Sequence, residues 1–244
     1  MKYLLAAILL LTLTGCTMSR GFDRNVLREH VSQPATATDI QAVLNLKPQL
    51  PYPFKLAIYV HSPELFQRKP FWTELEKNSL QNTAATLKQS GVISDVVFIA
   101  DSVVQHDSEP RFNPRTGLHA PMPRVSELRL AAARYGADAL LTVNGISSTD
   151  RYNNVWSLSY WTIVGAYFVP GTHSDALVMI SGVLWDVRNE YLYATEEAEG
   201  GAQKRGPALV LEDVDVIRQA KQVALTEFNH NLTARLIRLN GNTP

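Results

Sequence analysis

The stretch "VSELRLAAARYGADALLTVNGIS" (residues 125–147) decides the fold class of this 244-residue chain. Its first half is rich in good helix formers, with Ser126 placed to cap a helix and Gly136 placed to end it. Its second half, from Ala137 to Ser147, is an apolar run that predicts a strand. A helix that passes directly into a strand is the repeating step of an α/β fold.

The same step occurs upstream. "FKLAIYVHS" (54–62) predicts a strand, and residues 70–91 predict a helix that opens on a capping box formed by Thr73 and Glu76. "SDVVFIADS" (94–102) is a continuous apolar run, which is typical of a central strand buried on both faces. The N-terminal half of the domain therefore predicts a βαβαβ arrangement.

Downstream, the pattern changes to a hairpin and a helix. Residues 175–187 and 191–200 predict two strands joined by a turn, and "GGAQKRGP" (200–207) predicts a flexible connection. Residues 208–239 predict a long C-terminal helix whose apolar stripe comprises Val210, Val214, Ile217, Ala224, Phe228, Leu232 and Leu239. The expected fold is α/β, with a mixed four-to-six-stranded sheet that is packed by helices and continues with antiparallel strands.

The uncharged stretch "YWTIVGAYFVPGT" (160–172) has several interpretations. It is shorter than the roughly 20 apolar residues of a membrane-spanning helix. Its aromatic and β-branched content favours a strand, either central in the sheet or facing a partner subunit. A third interpretation makes it part of a membrane-inserting β-hairpin over 152–187.

The aromatic residues in and before this stretch form a candidate interaction surface, because large apolar side chains in a polar neighbourhood often contact another molecule. They are Trp156, Tyr160, Trp161, Tyr167 and Phe168. A second candidate is the segment 105–123, which contains Pro110, Pro114, Pro121 and Pro123 and predicts an unusually long loop.

The N-terminus predicts a targeting segment over residues 1–15. Lys2 is followed by an apolar run of signal-peptide length. Leu13, Thr14, Gly15 and Cys16 then resemble the bacterial lipobox. This resemblance implies cleavage before Cys16, the only cysteine of the chain, and attachment there of acyl chains such as palmitate. Several acyl chains would hold the protein on the membrane permanently.

The residues after the lipobox predict the location of the protein and its tether. Thr17 stands where an aspartate would retain a lipoprotein at the inner membrane, so the resemblance implies the outer membrane. Residues 16–50 predict a lipidated tether that contains two short helices, over 23–31 and 38–47. Residues 51–244 then predict a single α/β domain.

Four blocks of the chain resemble, in order, the rhombotarget lipoproteins, a bacterial family of uncharacterised molecular function. The blocks are "LPYPFKLAIYV" (50–60), "ELRLAAARYGADALLTVNG" (127–145), "YWTIVGAYFVPGT" (160–172) and "WDVRNEYLYATEEAEG" (185–200). At the level of fold, the helix–strand step and the later hairpin also resemble envelope lipoproteins of the curli-secretion type. That looser resemblance implies an oligomeric ring.

Composition and spacing predict no catalytic or cofactor site. With 23 basic and 23 acidic residues, the net charge is zero, so nucleic acid is not an expected partner. The histidines lack metal-ligand spacing. Gly201 and Gly206 are followed by Pro207, where a phosphate-binding loop requires lysine. The acidic residues Glu196, Glu197 and Glu199 predict a solvated strand edge, since charges there discourage aggregation.

The sequence as a whole predicts a non-enzymatic lipoprotein without cofactor or metal, anchored in the outer membrane through Cys16 and facing the periplasm. It would serve as an interaction or assembly module in envelope biogenesis or export, with an envelope protein as its unknown partner. The alternative is a homo-oligomeric subunit of a secretion ring or pore. A hydrolase with catalytic residues scattered along the chain is a third hypothesis.

Overall fold

The structure is a computed structural model that describes residues 18–32, 39–61, 71–104, 111–113, 117–119 and 122–241. The predicted signal peptide and the lipobox residues Leu13, Thr14, Gly15 and Cys16 lie outside these ranges, as does most of the proline-rich segment. Within that segment, two short described strands pair antiparallel. The lipid attachment therefore stays a prediction, as does the single domain over 51–244.

The described helices are α1 (Arg24–Val31), α2 (Ile40–Leu44), α3 (Glu74–Gln89), α4 (Val125–Arg134), α5 (Ile163–Phe168) and α6 (Asp213–Gly241). The described strands are β1 (Phe54–His61), β2 (Ile93–Phe98), β3 (Arg111–Asn113), β4 (Gly117–His119), β5 (Ala139–Asn153), β6 (Thr172–Asp186) and β7 (Leu192–Gly206). Short 3₁₀ helices cover Asp101–Val103 and Val155–Trp161.

Five of the described strands form one sheet in the order β2-β1-β5-β6-β7. β1 pairs parallel with β2 on one side and with β5 on the other. The turn between β6 and β7 is too short for a crossover, so these neighbouring strands run antiparallel. The predicted α/β class, with a mixed sheet and a long C-terminal helix, is confirmed.

The predicted helix ends are partly confirmed. The Glu76 carboxylate accepts a hydrogen bond of 2.7 Å from the Thr73 backbone N–H at the start of α3, as the capping box requires. Gly136 follows α4 with φ +67°, a conformation that favours glycine. Ser126 is wrong as the cap of α4, because the helix begins at Val125, Arg124 holds the cap position, and the Glu127 carboxylate accepts from the Arg124 N–H.

The chain forms two compact units, and β5, β6, β7 and α6 each contribute residues to both. Unit 1 comprises the described residues of Met1–Leu27 together with Ser147–Val178 and Glu199–Ala224. Unit 2 comprises the described residues of Arg28–Ile146, Met179–Ala198 and Leu225–Pro244.

Unit 2 contains a core in which α4 packs on the sheet. Leu128 of α4 is buried in one cluster with Tyr59 of β1 and Trp185 of β6. On the opposite face of β6, a side chain at Gly182 would collide with the ring of Phe228 in α6. The alternation of neighbouring β6 residues between two covered faces is what a sheet buried between helices requires.

The strand predicted over 160–172 is wrong. Residues 155–161 form a 3₁₀ helix, α5 follows, and the strand β6 begins only at Thr172. Side-chain hydrogen bonds hold the backbone in turns here, because the Asn154 Oδ1 accepts from Trp156 N–H and the Thr162 Oγ1 accepts from Gly165 N–H. The predicted membrane hairpin over 152–187 is wrong for the same reason.

Three further details differ from the expectations. Among the described strands, β2 pairs with β1 alone, so it is an edge strand with half-exposed residues. The connection predicted over 200–207 is mostly strand, since β7 continues to Gly206. α6 begins at Asp213, so Val210 precedes it and is exposed, whereas Phe228 is buried as predicted.

Candidate interaction surface

Unit 1 exposes four large aromatic side chains in one short segment. The exposed fractions are 62% for Trp156, 89% for Trp161, 51% for Tyr167 and 77% for Phe168. We call these four residues the aromatic surface. The same segment also exposes Val155, Leu158 and Val164. Exposed apolar residues that occur together mark a site of interaction, whereas single ones need no explanation.

The aromatic surface stands on a backbone that is held at both ends. The Asn154 N–H donates to the Gly171 carbonyl over 2.8 Å, which brings the two ends of the segment together. Within the segment, α5 approaches the 3₁₀ helix so closely that a side chain at Gly165 would collide with the Ser159 carbonyl. Only glycine permits this approach, and the aromatic side chains are presented from a compact pair of helical turns.

Tyr160 serves as the internal support of this segment. Its side chain is half-buried, and its hydroxyl accepts from the Gly171 N–H at 2.7 Å and donates to the Val169 carbonyl at 3.1 Å. The same hydroxyl lies 3.1 Å from that of Thr172. Of the five aromatic residues predicted as an interaction surface, Tyr160 is thus the one whose polar group is used within the fold.

Residues after β7 extend the apolar area. The Leu209 N–H donates to the Ala166 carbonyl of α5 over 3.3 Å, and the Arg151 guanidinium donates to the Ala208 carbonyl over 2.7 Å. These bonds place the exposed side chains of Leu209 and Val210 beside α5. Val210, which is predicted to lie in the buried stripe of the last helix, is exposed instead.

The N-terminal segment of unit 1 (residues 18–27) is attached to the same unit by a carboxylate. Asp150, near the end of β5, accepts from the Ser19 hydroxyl at 2.5 Å, the Arg20 N–H at 2.8 Å and the Gly21 N–H at 3.0 Å. Burial alone would raise the pKa of Asp150. The hydrogen bonds from Ser19, Gly21 and Arg20 outweigh burial and hold that pKa below its usual value.

A second contact holds the same segment. The Arg24 guanidinium makes a forked hydrogen bond with the Glu199 carboxylate of β7, with a shortest distance of 2.7 Å. Part of the predicted tether is therefore bound to the body of unit 1. No local sequence pattern predicts these contacts, because the bonded residues lie about 130 or more positions apart in the chain.

A cluster of polar side chains lies on β5 and β6 in unit 1. The ring of His173 stacks on that of Tyr152 with centroids 5.0 Å apart, and Asp175 lies 3.3 Å from the Tyr152 hydroxyl. The Nδ1 atom of His173 and the Oδ1 atom of Asp175 are buried without a hydrogen-bond partner. The adjacent Ser174 hydroxyl donates instead to Asp213 at 2.6 Å, so this serine does not serve the histidine.

In unit 2, a groove of about 450 Å³ runs between α3 and the C-terminal part of α6. It is lined by Ser79, Asn82, Thr83, Thr86, Asn229, His230, Thr233 and Ala234. The Asn229 amide donates to the Ser79 hydroxyl at 2.9 Å, and the lining contains no carboxylate to orient a catalytic histidine. The groove therefore does not assemble the residues of the hydrolase hypothesis.

Within the described ranges, no three His, Cys, Asp or Glu residues converge as metal ligands would. A helix capable of crossing a membrane is likewise not found in that part of the chain.

Comparison with known proteins gave low structural similarity. No family model matches the chain, and no curated protein does. A hypothetical protein from Chlamydia trachomatis, CT253, is 10% identical with TM-score 0.37, covering 75% of this chain and 98% of its own. The PelC dodecamer from Paraburkholderia phytofirmans is 14% identical with TM-score 0.33, covering 78% and 92%.

A minor lipoprotein from Acinetobacter baumannii is 9% identical with TM-score 0.35, and the match covers 79% of this chain and 96% of that one. Since all these scores are below 0.5, the function has to be argued from the residues of this chain.

Proposed function

We propose that this protein is an outer-membrane-anchored lipoprotein that faces the periplasm and acts as a non-enzymatic interaction or assembly module of the cell envelope. The observation that carries the proposal is the aromatic surface, which is exposed on a firmly held segment. The lipobox-like residues Leu13 to Cys16 and the resemblance to rhombotarget lipoproteins support the envelope location.

The geometry of the aromatic surface favours binding. Trp, Tyr and Phe supply large contact areas, and they are enriched where proteins meet their partners. Because Tyr160 and Asn154 hold the backbone in place, little conformational entropy remains to be lost on binding. A preorganised apolar surface of this kind suits an interaction module.

The lipid anchor is tested by replacing Cys16 with Ser in cells that are fed labelled palmitate. We expect the variant to lose the label and to leave the outer-membrane fraction of a density gradient, because the acylated thiol is gone. Thr17→Ser is the control and should behave like the wild-type protein. A Cys16→Ser chain that still carries label or still sediments with the outer membrane would contradict the anchor.

The interaction surface is tested separately with a photo-crosslinking amino acid at position 161 of the otherwise intact chain. We expect adducts in cells from position 161, whether to protein or to lipid, and none from position 130, where Leu130 is similarly apolar and exposed on α4. Equal yields at the two positions would show that exposure alone explains the reaction.

A ring or pore subunit is the second candidate. The exposed apolar residues of the aromatic surface favour it, because homo-oligomer interfaces are apolar. Sedimentation of the detergent-extracted protein distinguishes the two candidates. A monomer at all concentrations would count against the ring, and a closed oligomer that Trp161→Ser disrupts would support it.

A further inference from the structure

We infer that the aromatic surface inserts into the interfacial layer of the same phospholipid leaflet that holds the acyl chains of Cys16. The protein would then contact the membrane at two places. The inference rests on the lipid anchor proposed above and deepens it, because it names a lipid bilayer as the partner of the aromatic surface.

The first argument is the length of chain between the anchor and the folded body. Ser19 donates to Asp150, and Cys16 precedes Ser19 by three residues. A fully extended chain of that length spans about 11 Å. The Asp150 end of β5 therefore has to lie close to the membrane that holds Cys16.

The second argument is the direction in which the N-terminal segment runs. Arg24 binds Glu199 in the middle of β7, whereas Ser19 binds Asp150 near the end of β5. Going from Arg24 back toward Cys16, the chain thus approaches the end of unit 1 where β5 finishes. The aromatic surface follows β5 directly and lies at that end.

The third argument is the chemistry of the segment. Residues 154–172 contain no charged side chain. Trp and Tyr are the side chains most favoured where a bilayer meets water, since each combines an apolar body with a polar group. Short helices end in backbone groups that have no partner within the helix, and this favours insertion into the hydrated interface over the hydrocarbon interior.

Three basic side chains of unit 1 are already engaged by other groups of the fold, so their charges contribute little attraction to lipid. Arg151 lies 3.9 Å from Asp213, Lys204 lies 3.3 Å from Asp215, and Arg205 donates to the Pro170 carbonyl at 2.7 Å. The attraction to lipid would therefore come from apolar burial, with little contribution from charge.

The test uses tryptophan fluorescence of the full lipidated protein in vesicles of phosphatidylethanolamine and phosphatidylglycerol with brominated acyl chains. The chain has four tryptophans, of which Trp72 and Trp185 are buried in unit 2 and Trp156 and Trp161 are exposed. Bromine quenches only nearby tryptophan. We expect quenching in the wild-type protein and its loss in the Trp156→Phe/Trp161→Phe variant, which keeps the aromatic surface apolar.

Two more variants and vesicle flotation complete the experiment. Trp161→Ser/Phe168→Ser should weaken insertion and so lower the quenching of the remaining Trp156, whereas Leu130→Ser on α4 should leave the quenching unchanged.

Protein that floats with the vesicles and is quenched supports the inference. Protein that floats without quenching overturns the insertion of the aromatic surface and leaves the lipid anchor intact. The same conclusion holds if, in addition, position 161 crosslinks to another protein in cells. Protein that does not float overturns both proposals.

Discussion

Asp150 accepts three hydrogen bonds from consecutive residues of the N-terminal segment, and its charge is what they stabilise. Because these bonds hold the pKa of Asp150 below its usual value, they stabilise the folded state fully above the unfolded pKa of about 3.9. The stabilisation is lost as the pH falls through the lower pKa of the folded state. The attachment of residues 18–21 should therefore persist at neutral pH and fail in strong acid.

We expect Asp150→Asn to destabilise this attachment by about 1–2 kcal/mol, because a neutral amide replaces a charged acceptor of three hydrogen bonds. Trypsin should then cleave after Arg20 faster than in the wild-type protein. Asp95→Asn, which alters a 3.7 Å surface ion pair with Lys88, is the matched control and should not change the rate. Equal cleavage rates in all three proteins would contradict the role of Asp150.

Tyr160 supports the aromatic surface through its hydroxyl, so Tyr160→Phe should destabilise the fold by about 1–3 kcal/mol. The Gly171 N–H loses its acceptor in this variant and should exchange with deuterium faster. Tyr167→Phe removes a hydroxyl from a side chain that is half exposed, and we expect unchanged exchange at Gly171. Unfolding in urea and hydrogen exchange measure the two effects, and protection that survives Tyr160→Phe would refute the assignment.

At the scale of elements, local patterns predicted the helix–strand steps because their signals are close in sequence. The Thr73–Glu76 capping box and Gly136 both act within one turn of a helix end. The strand predicted over 160–172 is wrong because β-branched and aromatic residues favour packing on a sheet, and this content does not fix the conformation of the backbone. Here the backbone is held by Asn154 and Thr162, whose hydrogen bonds override that content.

Part of the candidate surface could be predicted from the sequence, and part could not. Trp156 and Trp161 could be recognised from the sequence because uncharged aromatic runs in a polar context are visible in the letters. The contacts of Ser19 and Arg24 could not, because Asp150 and Glu199 become neighbours only after the sheet has formed. Such long-range pairs leave no periodic signal in a single sequence.

The packing of β7 on α6 in unit 1 depends on Gly200. A Cβ at this position would collide with the Ala220 carbonyl and lie 2.5 Å from the Ala224 nitrogen, both in the backbone of α6. Because a helix backbone does not yield readily, we expect Gly200→Ala to lower the free energy of unfolding by about 1–3 kcal/mol.

The adjacent Gly201 is the control for this prediction. Its added Cβ would meet only the Ala176 carbonyl, at 4.0 Å, so Gly201→Ala should be close to neutral. Urea unfolding of the two variants measures the difference. Equal stability of Gly200→Ala and Gly201→Ala would show that β7 and α6 are not in tight contact.

At the scale of the whole molecule, the formal net charge is zero. Long-range attraction to anionic lipid should therefore be weak, and insertion of the aromatic surface should rest on apolar burial. We expect the quenching of Trp156 and Trp161 by brominated lipid to be the same in 50 mM and 500 mM salt. A marked loss of quenching at high salt would instead indicate that basic residues hold the protein on the lipid.

The contact between Ser19 and Asp150 also limits where the protein can work. With the acyl chains on Cys16, as proposed, the folded body begins within three residues of the membrane and has almost no reach into the periplasm. A partner would have to come to the inner face of the outer membrane or be inserted there itself. The protein would then bind partners only at the membrane surface, and a long flexible linker added before Ser19 would let the folded body reach partners farther into the periplasm.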